Sequence, residues 1–366
     1  MKIFTRSLFC GAGLLVILFF LYAPDSVSAP EPDPMHPAFA RPDLSFPDAE
    51  RVAETLPRLY SLAVSWRGET IYEKYFRNKT PRALANLKSA SKSVLAMLVG
   101  IAVDHGVVPD IDTKITEYFP ELNNPNDPLK RDITVRNLLM MRSGLATTSN
   151  RTYGAWVSSS NWVRFALNRP LEAAPGERMI YSTGNTHLLS ALLTRASGES
   201  TRDFAQEALG DPLGFHVVGW PRDPQGIYFG GNDMLMTPRQ MMMIGETYLN
   251  DGRYEDQQLV SGEWVRASCD GPVREGRRSQ RYGYGWWGGE FDTFDVCYAW
   301  GYGGQYIFVL PELDLVVVTS SSPFDTPDRR GYNGRLFDMV EDHIVVPIAD
   351  AIEWDRLYGD TAERIE

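Results

Sequence analysis

Apolar and polar positions alternate near the start of the chain and predict a strand, a tight turn and a second strand. The apolar positions of the first strand are Leu62, Val64 and Trp66. The turn is Arg67-Gly68-Glu69, and Ile71 to Phe76 continues as the second strand. Apolar positions then recur at helical spacing, which predicts a helix from about Ser89 to His105.

The middle of the chain, from about 110 to 230, predicts short helices separated by loops. The predicted helices run from Val135 to Met141, Asn161 to Leu167, Thr186 to Ala196 and Thr201 to Ala208. Pro238 to Asn250 predicts another helix, with Thr237 as its N-cap. Tyr306 to Leu310 and Leu315 to Thr319 then predict a hairpin, and Arg335 to Val345 a closing helix.

Strands at both ends with helices between them predict one discontinuous domain of the α/β (α+β) class. We expect an antiparallel sheet that is flanked by helices and built from both chain ends. A mostly helical lobe is inserted at about 106–230. The domain is expected to span residues 51–350, followed by a C-terminal tail at 351–366.

The chain begins with the pattern of an export signal. Lys2 and Arg6 precede an apolar run from Leu8 to Ala23. This run is short for a membrane span, which needs about 20 residues, and it fits the apolar core of a signal peptide. We therefore expect an exported protein, either periplasmic or anchored to the outer face of the inner membrane.

Whether this segment is removed is left open by the residues that follow it. Val27-Ser28-Ala29 fits a cleavage site, but Pro30 stands directly after it and disfavours processing. Residues 1–29 are accordingly expected to be a signal peptide or an uncleaved N-terminal anchor. Residues 30–50 are rich in proline and acid, which predicts an extended linker.

Composition excludes several classes of function. The 366-residue chain has a net charge of −11 and no basic patch, which argues against a nucleic-acid partner. The five histidines are scattered and no C-x-x-C occurs, so we expect neither a metal site nor a cofactor. Cys269 and Cys297 are the cysteines outside the export segment, and they either form a disulfide or remain two buried thiols.

Ser89-Ala90-Ser91-Lys92 is the first element that carries chemistry. A spacing of three residues puts Ser89 and Lys92 on one helix face, one turn apart. A desolvated lysine has a lowered pKa and can take the proton of a serine hydroxyl near neutral pH. Free N–H groups at the start of the helix favour a developing oxyanion. The structural alternative is an N-cap serine with a surface lysine.

Two further segments complete the candidate constellation. The segment Tyr181-Ser182-Thr183 begins with a tyrosine. A tyrosine phenol beside a lysine can relay protons, although a tyrosine packed in the core would give the same sequence pattern. Ala299 to Gln305 (AWGYGGQ) leads into the last hairpin, and its glycines let a backbone approach a ligand closely. Such an edge can supply a second N–H to the oxyanion.

Together these elements resemble the β-lactamase-related serine hydrolase family. That family includes class C β-lactamases, D-Ala-D-Ala peptidases, penicillin-binding-protein-like esterases and 6-aminohexanoate-oligomer hydrolases. Longer stretches share the resemblance, namely Asn137 to Leu145, Pro175 to Leu193, Gly230 to Met241, Tyr282 to Trp287 and Gly301 to Val318. The resemblance implies a β-lactamase/transpeptidase-like fold.

The resemblance also implies roles for individual residues. Ser89 is the expected nucleophile, Lys92 its base and Tyr181 the proton relay. The residues expected at the substrate or the oxyanion are Asn185, Trp300, Gly301, Tyr302 and Gly303. Five tryptophans could line an apolar acyl site or simply pack in the core, and they are Trp156, Trp162, Trp286, Trp287 and Trp300.

Two departures from the family pattern point away from β-lactams. The second motif is commonly Tyr-x-Asn, but here Thr183 holds the third position and Asn185 lies two further on. The third motif is commonly Lys-Thr-Gly or His-x-Gly, but here it is Ala299-Trp300-Gly301, and no lysine follows Lys130. Arg278 or Arg281 would have to replace the missing cation.

We therefore expect an acyl-enzyme hydrolase whose partner is a small-molecule ester or amide. One alternative is a D-Ala-D-Ala peptidase or β-lactamase-type cell-wall enzyme. Another is a non-catalytic penicillin-binding-like sensor module. An α/β-hydrolase is not expected, because the chain has no G-x-S-x-G elbow.

Overall fold

The structure is a computed structural model that describes residues 41–272, 280–324 and 331–362. The expected export segment and most of the expected linker lie outside these residues, as does Arg278. No helix within the described ranges is both long and apolar enough to cross a membrane.

Eleven strands are described, and seven of them form one antiparallel sheet. They are β1 Leu59–Trp66, β2 Glu69–Tyr75, β3 Ala85–Asn86, β4 Leu235–Met236, β5 Arg253–Tyr254, β6 Gln257–Gln258, β7 Arg281–Tyr282, β8 Trp287–Phe291, β9 Phe294–Gly301, β10 Gln305–Leu310 and β11 Leu315–Ser321. The large sheet has the order β2-β1-β11-β10-β9-β8-β7. Strands from the two ends of the chain therefore meet where β1 pairs with β11, as the sequence predicts.

Eleven α-helices are described around these strands. They are α1 Pro47–Thr55, α2 Ser91–Asp104, α3 Val135–Leu139, α4 Tyr153–Val157, α5 Trp162–Leu167, α6 Thr183–Ser197, α7 Thr201–Ala205, α8 Pro238–Leu249, α9 Gly262–Cys269, α10 Tyr332–Val340 and α11 Val346–Ala362. Helices α3 to α7 make up the inserted lobe. The predicted fold class, a mixed sheet-and-helix domain with a helical insertion, is confirmed.

Each face of the sheet carries its own hydrophobic core. On β10, Ile307 and Val309 belong to the core that contains α2, α6 and the lobe. Phe308 and Leu310 on the same strand belong to the core under α1, α10 and α11. This alternation follows the two-residue period of a strand. Because both faces are covered, the sheet is a rigid platform for the segments at its edge.

Several helix boundaries differ from those expected from the sequence. Helix α1 begins at Pro47, inside the stretch expected as linker, since proline fits a first helical turn and Asp48 adds favourable charge there. Helix α6 begins at Thr183, three residues early. The closing helix continues as α11 into the expected tail, because a π-type turn at Glu341–Val345 accommodates Pro347.

Cys269 and Cys297 form a disulfide, which settles the alternative that the sequence left open. The bond joins the last residue of α9 to the middle of β9, and the two cysteines are 28 residues apart in sequence. Four residues further along, β9 ends at Gly301. The disulfide therefore fastens the strand that carries the third motif.

Removal of this disulfide should destabilise the fold. For a closed loop of this length the lost chain-entropy constraint corresponds to about 3.6 kcal/mol. We expect the double variant Cys269→Ala/Cys297→Ala to show that decrease in the free energy of unfolding by urea. Reduction should destabilise the wild type similarly and leave the double variant unchanged; equal midpoints for all samples would mean that the bond does not form.

Candidate active site

Ser89 stands in a short 3-10 turn, Lys88–Ala90, that leads directly into α2. Its side chain is half-buried, and its Oγ lies 3.1 Å from Lys92 Nζ. The first N–H groups of a helical segment have no acceptor within it, so the Ser89 backbone can donate toward a bound oxyanion. The structure thus brings together the two residues that the sequence paired by spacing.

The two neighbouring serines of this segment have structural roles. Ser91 is fully buried, and its Oγ accepts a hydrogen bond from the Met234 N–H at 3.1 Å. Ser93 is 1 % exposed, and its Oγ donates to the Gly285 carbonyl at 2.7 Å. Ser89 is therefore the serine of this helix that is both open to a substrate and in reach of the amine.

The Lys92 amine is buried, with 1 % of the residue exposed. Its Nζ donates to the Gly231 carbonyl at 2.6 Å and lies 5.2 Å from the centre of the Tyr181 ring. Burial lowers the pKa of Lys92 to about 7, and the nearby Asp233 carboxylate opposes this in part. A large fraction of the amine is thus neutral near neutral pH and able to accept a proton.

Tyr181 precedes α6 and packs against the sheet edge. Its ring stacks on Trp287 at 6.0 Å between centroids and meets Tyr282 edge-on at 6.2 Å. Its carbonyl accepts a hydrogen bond of 2.7 Å from Thr147 Oγ1. These contacts hold the ring beside Lys92, where the sequence placed the proton relay.

The residues after Tyr181 hold the start of α6 in place. Thr183, which stands at the usual asparagine position, pairs through Oγ1 with Ser149 Oγ at 2.9 Å. Asn185 is 1 % exposed, and its Oδ1 accepts from Ser143 Oγ at 3.0 Å. Its Nδ2 has no hydrogen-bond partner among the described residues. Asn185 therefore bonds to the lobe, and a substrate contact for it stays a prediction.

The end of β9 packs directly against the Lys88–Ala90 turn that carries Ser89. A side chain at Gly301 would collide with the Leu87 carbonyl oxygen, so glycine is needed for this close approach. Gly303 has φ +94°, a conformation that side chains rarely adopt. Tyr302, between them, is 38 % exposed. The predicted oxyanion strand is thus adjacent to Ser89.

The tryptophans considered for an acyl site fall into two groups. Trp300, at the end of β9, is partly exposed, and its ring meets that of Trp287 at 5.5 Å. Trp287 stacks on Tyr181 at 6.0 Å but is itself only 4 % exposed. Trp286 is fully buried against Tyr248 at 4.0 Å. Trp156 and Trp162 pack in the lobe around a buried His187–Asp223 pair, whose Nε2 and Oδ2 are 3.0 Å apart. Core packing therefore accounts for four of the five, and Trp300 is the one with exposed surface near the third motif.

Neither Arg281 nor Arg58 takes the place of the missing strand lysine. Arg281 bonds Asp295 at 2.6 Å, and Asp295 lies about 20 Å along β9 from Gly301 at the usual rise of a strand. Arg58 lies beneath the Gly303 turn, but it is 2 % exposed and its Nη2 donates to the Ser322 carbonyl at 2.8 Å.

The sequence missed several groups of the site. Lys88 Nζ and Asp233 Oδ1 form an ion pair of 2.8 Å beside Ser89. Asn232 Nδ2 donates to Tyr153 OH at 3.1 Å next to the Gly231 carbonyl. The segment Gly230 to Met241 was recognised only as part of a resemblance, which gave no role to its residues.

Comparison with known proteins gives one family and one shared fold. A family profile described as Beta-lactamase matches residues 58–338. An uncharacterized protein of Alkalihalophilus pseudofirmus is 21 % identical over 282 residues, covering 68 % of this chain and 76 % of its own.

Solved structures of low identity share the fold. A Bacillus anthracis protein named as a 6-aminohexanoate-dimer hydrolase superposes with a TM-score of 0.66 at 17 % identity, covering 80 % of each chain. A Mycobacterium bovis β-lactamase superposes with a TM-score of 0.60 at 22 % identity, covering 82 % of this chain and 99 % of its own.

The lowered pKa of Lys92 predicts how turnover depends on pH. If Lys92 is the base that the sequence predicts, its amine must be neutral to accept the serine proton. The value of kcat/KM for a test ester, p-nitrophenyl butyrate, should then rise with pH, with a midpoint near the Lys92 pKa of about 7. The measurement is a profile from about pH 5.5 to 8.5. Lys114→Ala, which changes an exposed lysine, should leave the midpoint unchanged; a flat or falling wild-type profile would contradict Lys92 as the base.

Proposed function

The chain belongs to the β-lactamase family, a family of serine hydrolases, and we propose that it forms an acyl-enzyme on Ser89 and cleaves a small ester or amide. The observation that carries the proposal is the contact of 3.1 Å between Ser89 Oγ and the buried Lys92 amine. A nucleophile beside a base whose pKa lies near the working pH is the arrangement that acyl transfer requires.

The proposed reaction has two halves. Neutral Lys92 accepts the Ser89 proton while Oγ attacks the substrate carbonyl, and the resulting oxyanion is bound by the Ser89 N–H and the backbone after Gly301. Tyr181 relays the proton to the leaving alcohol or amine. Water then attacks the acyl-enzyme, giving the carboxylic acid and free Ser89.

The surroundings of the third motif support a neutral substrate. Penicillins and D-Ala-D-Ala peptides carry a carboxylate close to the bond that is cleaved, and an anion without a fixed cation is costly to bury. Trp300, which is partly exposed and backed by the buried Trp287 ring at 5.5 Å, presents aromatic surface at this place instead. An apolar wall suits an acyl or alkyl group.

We also propose that the protein is exported. The charged start and the apolar run from Leu8 to Ala23 are the basis for this proposal. The Cys269–Cys297 disulfide supports it, because such bonds persist in oxidising compartments. No nucleic-acid partner and no cofactor are part of the proposal.

Removal of the nucleophile should abolish turnover. We expect Ser89→Ala to lower kcat for p-nitrophenyl butyrate by about a thousandfold or more, as nucleophile removal commonly does. Tyr181→Phe should lower kcat more than it raises KM, because the relay acts in the transition state. Ser93→Ala is the matched control and should retain most of kcat; full activity of Ser89→Ala would refute the proposal.

Substrate preference tests the neutral-substrate proposal. Because the described site lacks an exposed strand cation, kcat/KM for p-nitrophenyl butyrate should exceed that for nitrocefin by about 100-fold, roughly the effect of one charge-paired contact. Both substrates are assayed with the same preparation of mature protein. Comparable efficiency on nitrocefin, or tight acylation by benzylpenicillin, would show that a cation binds the carboxylate after all.

A further inference from the structure

Two residues beside the nucleophile have left-handed backbone conformations although neither is glycine. Lys88 has φ +49° and Asp233 has φ +63°. This region is uncommon for residues with side chains, and where it occurs the surroundings must enforce it. Lys88 Nζ and Asp233 Oδ1 form an ion pair of 2.8 Å, and the Lys88 and Asp233 side chains are 25 % and 23 % exposed, respectively.

The segments that these residues belong to are tied together along their length. Short strands β3 and β4 pair Asn86 with Leu235. The Leu87 N–H donates to the Met234 carbonyl at 2.9 Å, and the Met234 N–H donates to Ser91 Oγ. The Lys88–Asp233 ion pair thus adds a contact between two side chains to a continuous set of hydrogen bonds across the start of α2.

Each of the two segments places one group against the Lys92 amine. Ser89, directly after Lys88, places its Oγ 3.1 Å from Lys92 Nζ. Gly231, two residues before Asp233, places its carbonyl 2.6 Å from the same Nζ. A shift of either left-handed turn would therefore change the distance from Lys92 to its serine or to its carbonyl acceptor.

We propose that the Lys88–Asp233 ion pair is a positioning pair that locks both turns and so holds Ser89 Oγ and the Gly231 carbonyl on Lys92. The inference rests on the proposed function, because it assigns the pair to the acylation step. Neither residue contacts the reacting atoms, so each acts through Ser89 and Lys92.

The pair has an electrostatic consequence that a purely structural link would lack. The Asp233 carboxylate raises the pKa of Lys92, against the larger lowering by burial. Lys88 forms an ion pair with that carboxylate. Among the described residues, the Tyr181 ring also lies beside the amine, and the Tyr153 phenol accepts a hydrogen bond from Asn232, next to Asp233. Removal of Lys88 should therefore favour the charged amine, and removal of the Asp233 charge should favour the neutral one.

The test uses Lys88→Gly and Asp233→Asn, because glycine and asparagine tolerate the left-handed backbone. The readout is the rate at which a fluorophosphonate labels Ser89, measured across pH. We expect both variants to lower the high-pH rate by about tenfold, as misplacement of reacting groups does. The midpoint should move up in Lys88→Gly and down in Asp233→Asn, each by about half a pH unit.

A charge exchange provides the rescue. Lys88→Asp alone should label slowly, and Lys88→Asp with Asp233→Lys should regain most of the lost rate, because it restores an ion pair across the same gap. As matched control, Lys130→Met and Asp127→Asn break a partly buried pair of 3.0 Å in the lobe and should leave rate and midpoint unchanged.

The outcomes separate this inference from the proposed function. If the wild type is not labelled at Ser89, the proposed function fails. If the wild type is labelled but Lys88→Gly and Asp233→Asn label at its rate, only the positioning role is overturned. Midpoints that move in the same direction, or a charge exchange that gives no rescue, would likewise overturn it.

Discussion

The Lys92 amine is buried, and the segments around it have to supply the partners that a buried amine needs. An ammonium group out of water is costly unless it loses its proton or finds partners. Lys92 has three groups around its Nζ, namely Ser89 Oγ, the Gly231 carbonyl and the Tyr181 ring. The same burial that makes the position costly lowers the pKa of Lys92 to about 7, which is what a base at neutral pH needs.

The fold supplies these partners from distant parts of the chain. Ser89 and Lys92 come from the start of α2, Tyr181 precedes α6 in the lobe, and Gly231 follows the lobe. The pairing of β1 with β11 joins strands from both ends of the domain into one sheet. Strand β9 of this sheet ends against the turn that carries Ser89. The disulfide to α9 fastens that strand. The acyl transfer that we propose would therefore depend on how the lobe and the sheet meet at the start of α2.

Local patterns were sufficient to predict the main elements from the sequence. The β10–β11 hairpin and α2 follow from two-residue and helical periodicity, and Ser89 with Lys92 follows from a spacing of one turn. The continuation of the closing helix was not predictable, because Pro347 normally ends a helix and the π-type turn before it has no sequence signal.

The partners of Lys92 beyond Ser89 were hidden from the sequence for a different reason. Gly231 contributes a backbone carbonyl, which any residue could supply, from 139 positions away. The left-handed turn at Lys88 was equally impossible to predict from the sequence, because lysine has no preference for that conformation. The choice between acyl-site and core roles for the tryptophans required their packing partners, as Trp156 shows by lying in the lobe core.

We propose above that Ser89 is the nucleophile and that the buried Lys92 activates it. The most direct measurement is to react the protein with a fluorophosphonate, digest it and locate the adduct by peptide mass spectrometry. We expect an adduct on Ser89 in the wild type. We expect no adduct on Ser89 in a folded Lys92→Ala variant that has reacted with the fluorophosphonate for the same time. An adduct on Ser91 or Ser93, or unchanged labelling of Ser89 without Lys92, would contradict it.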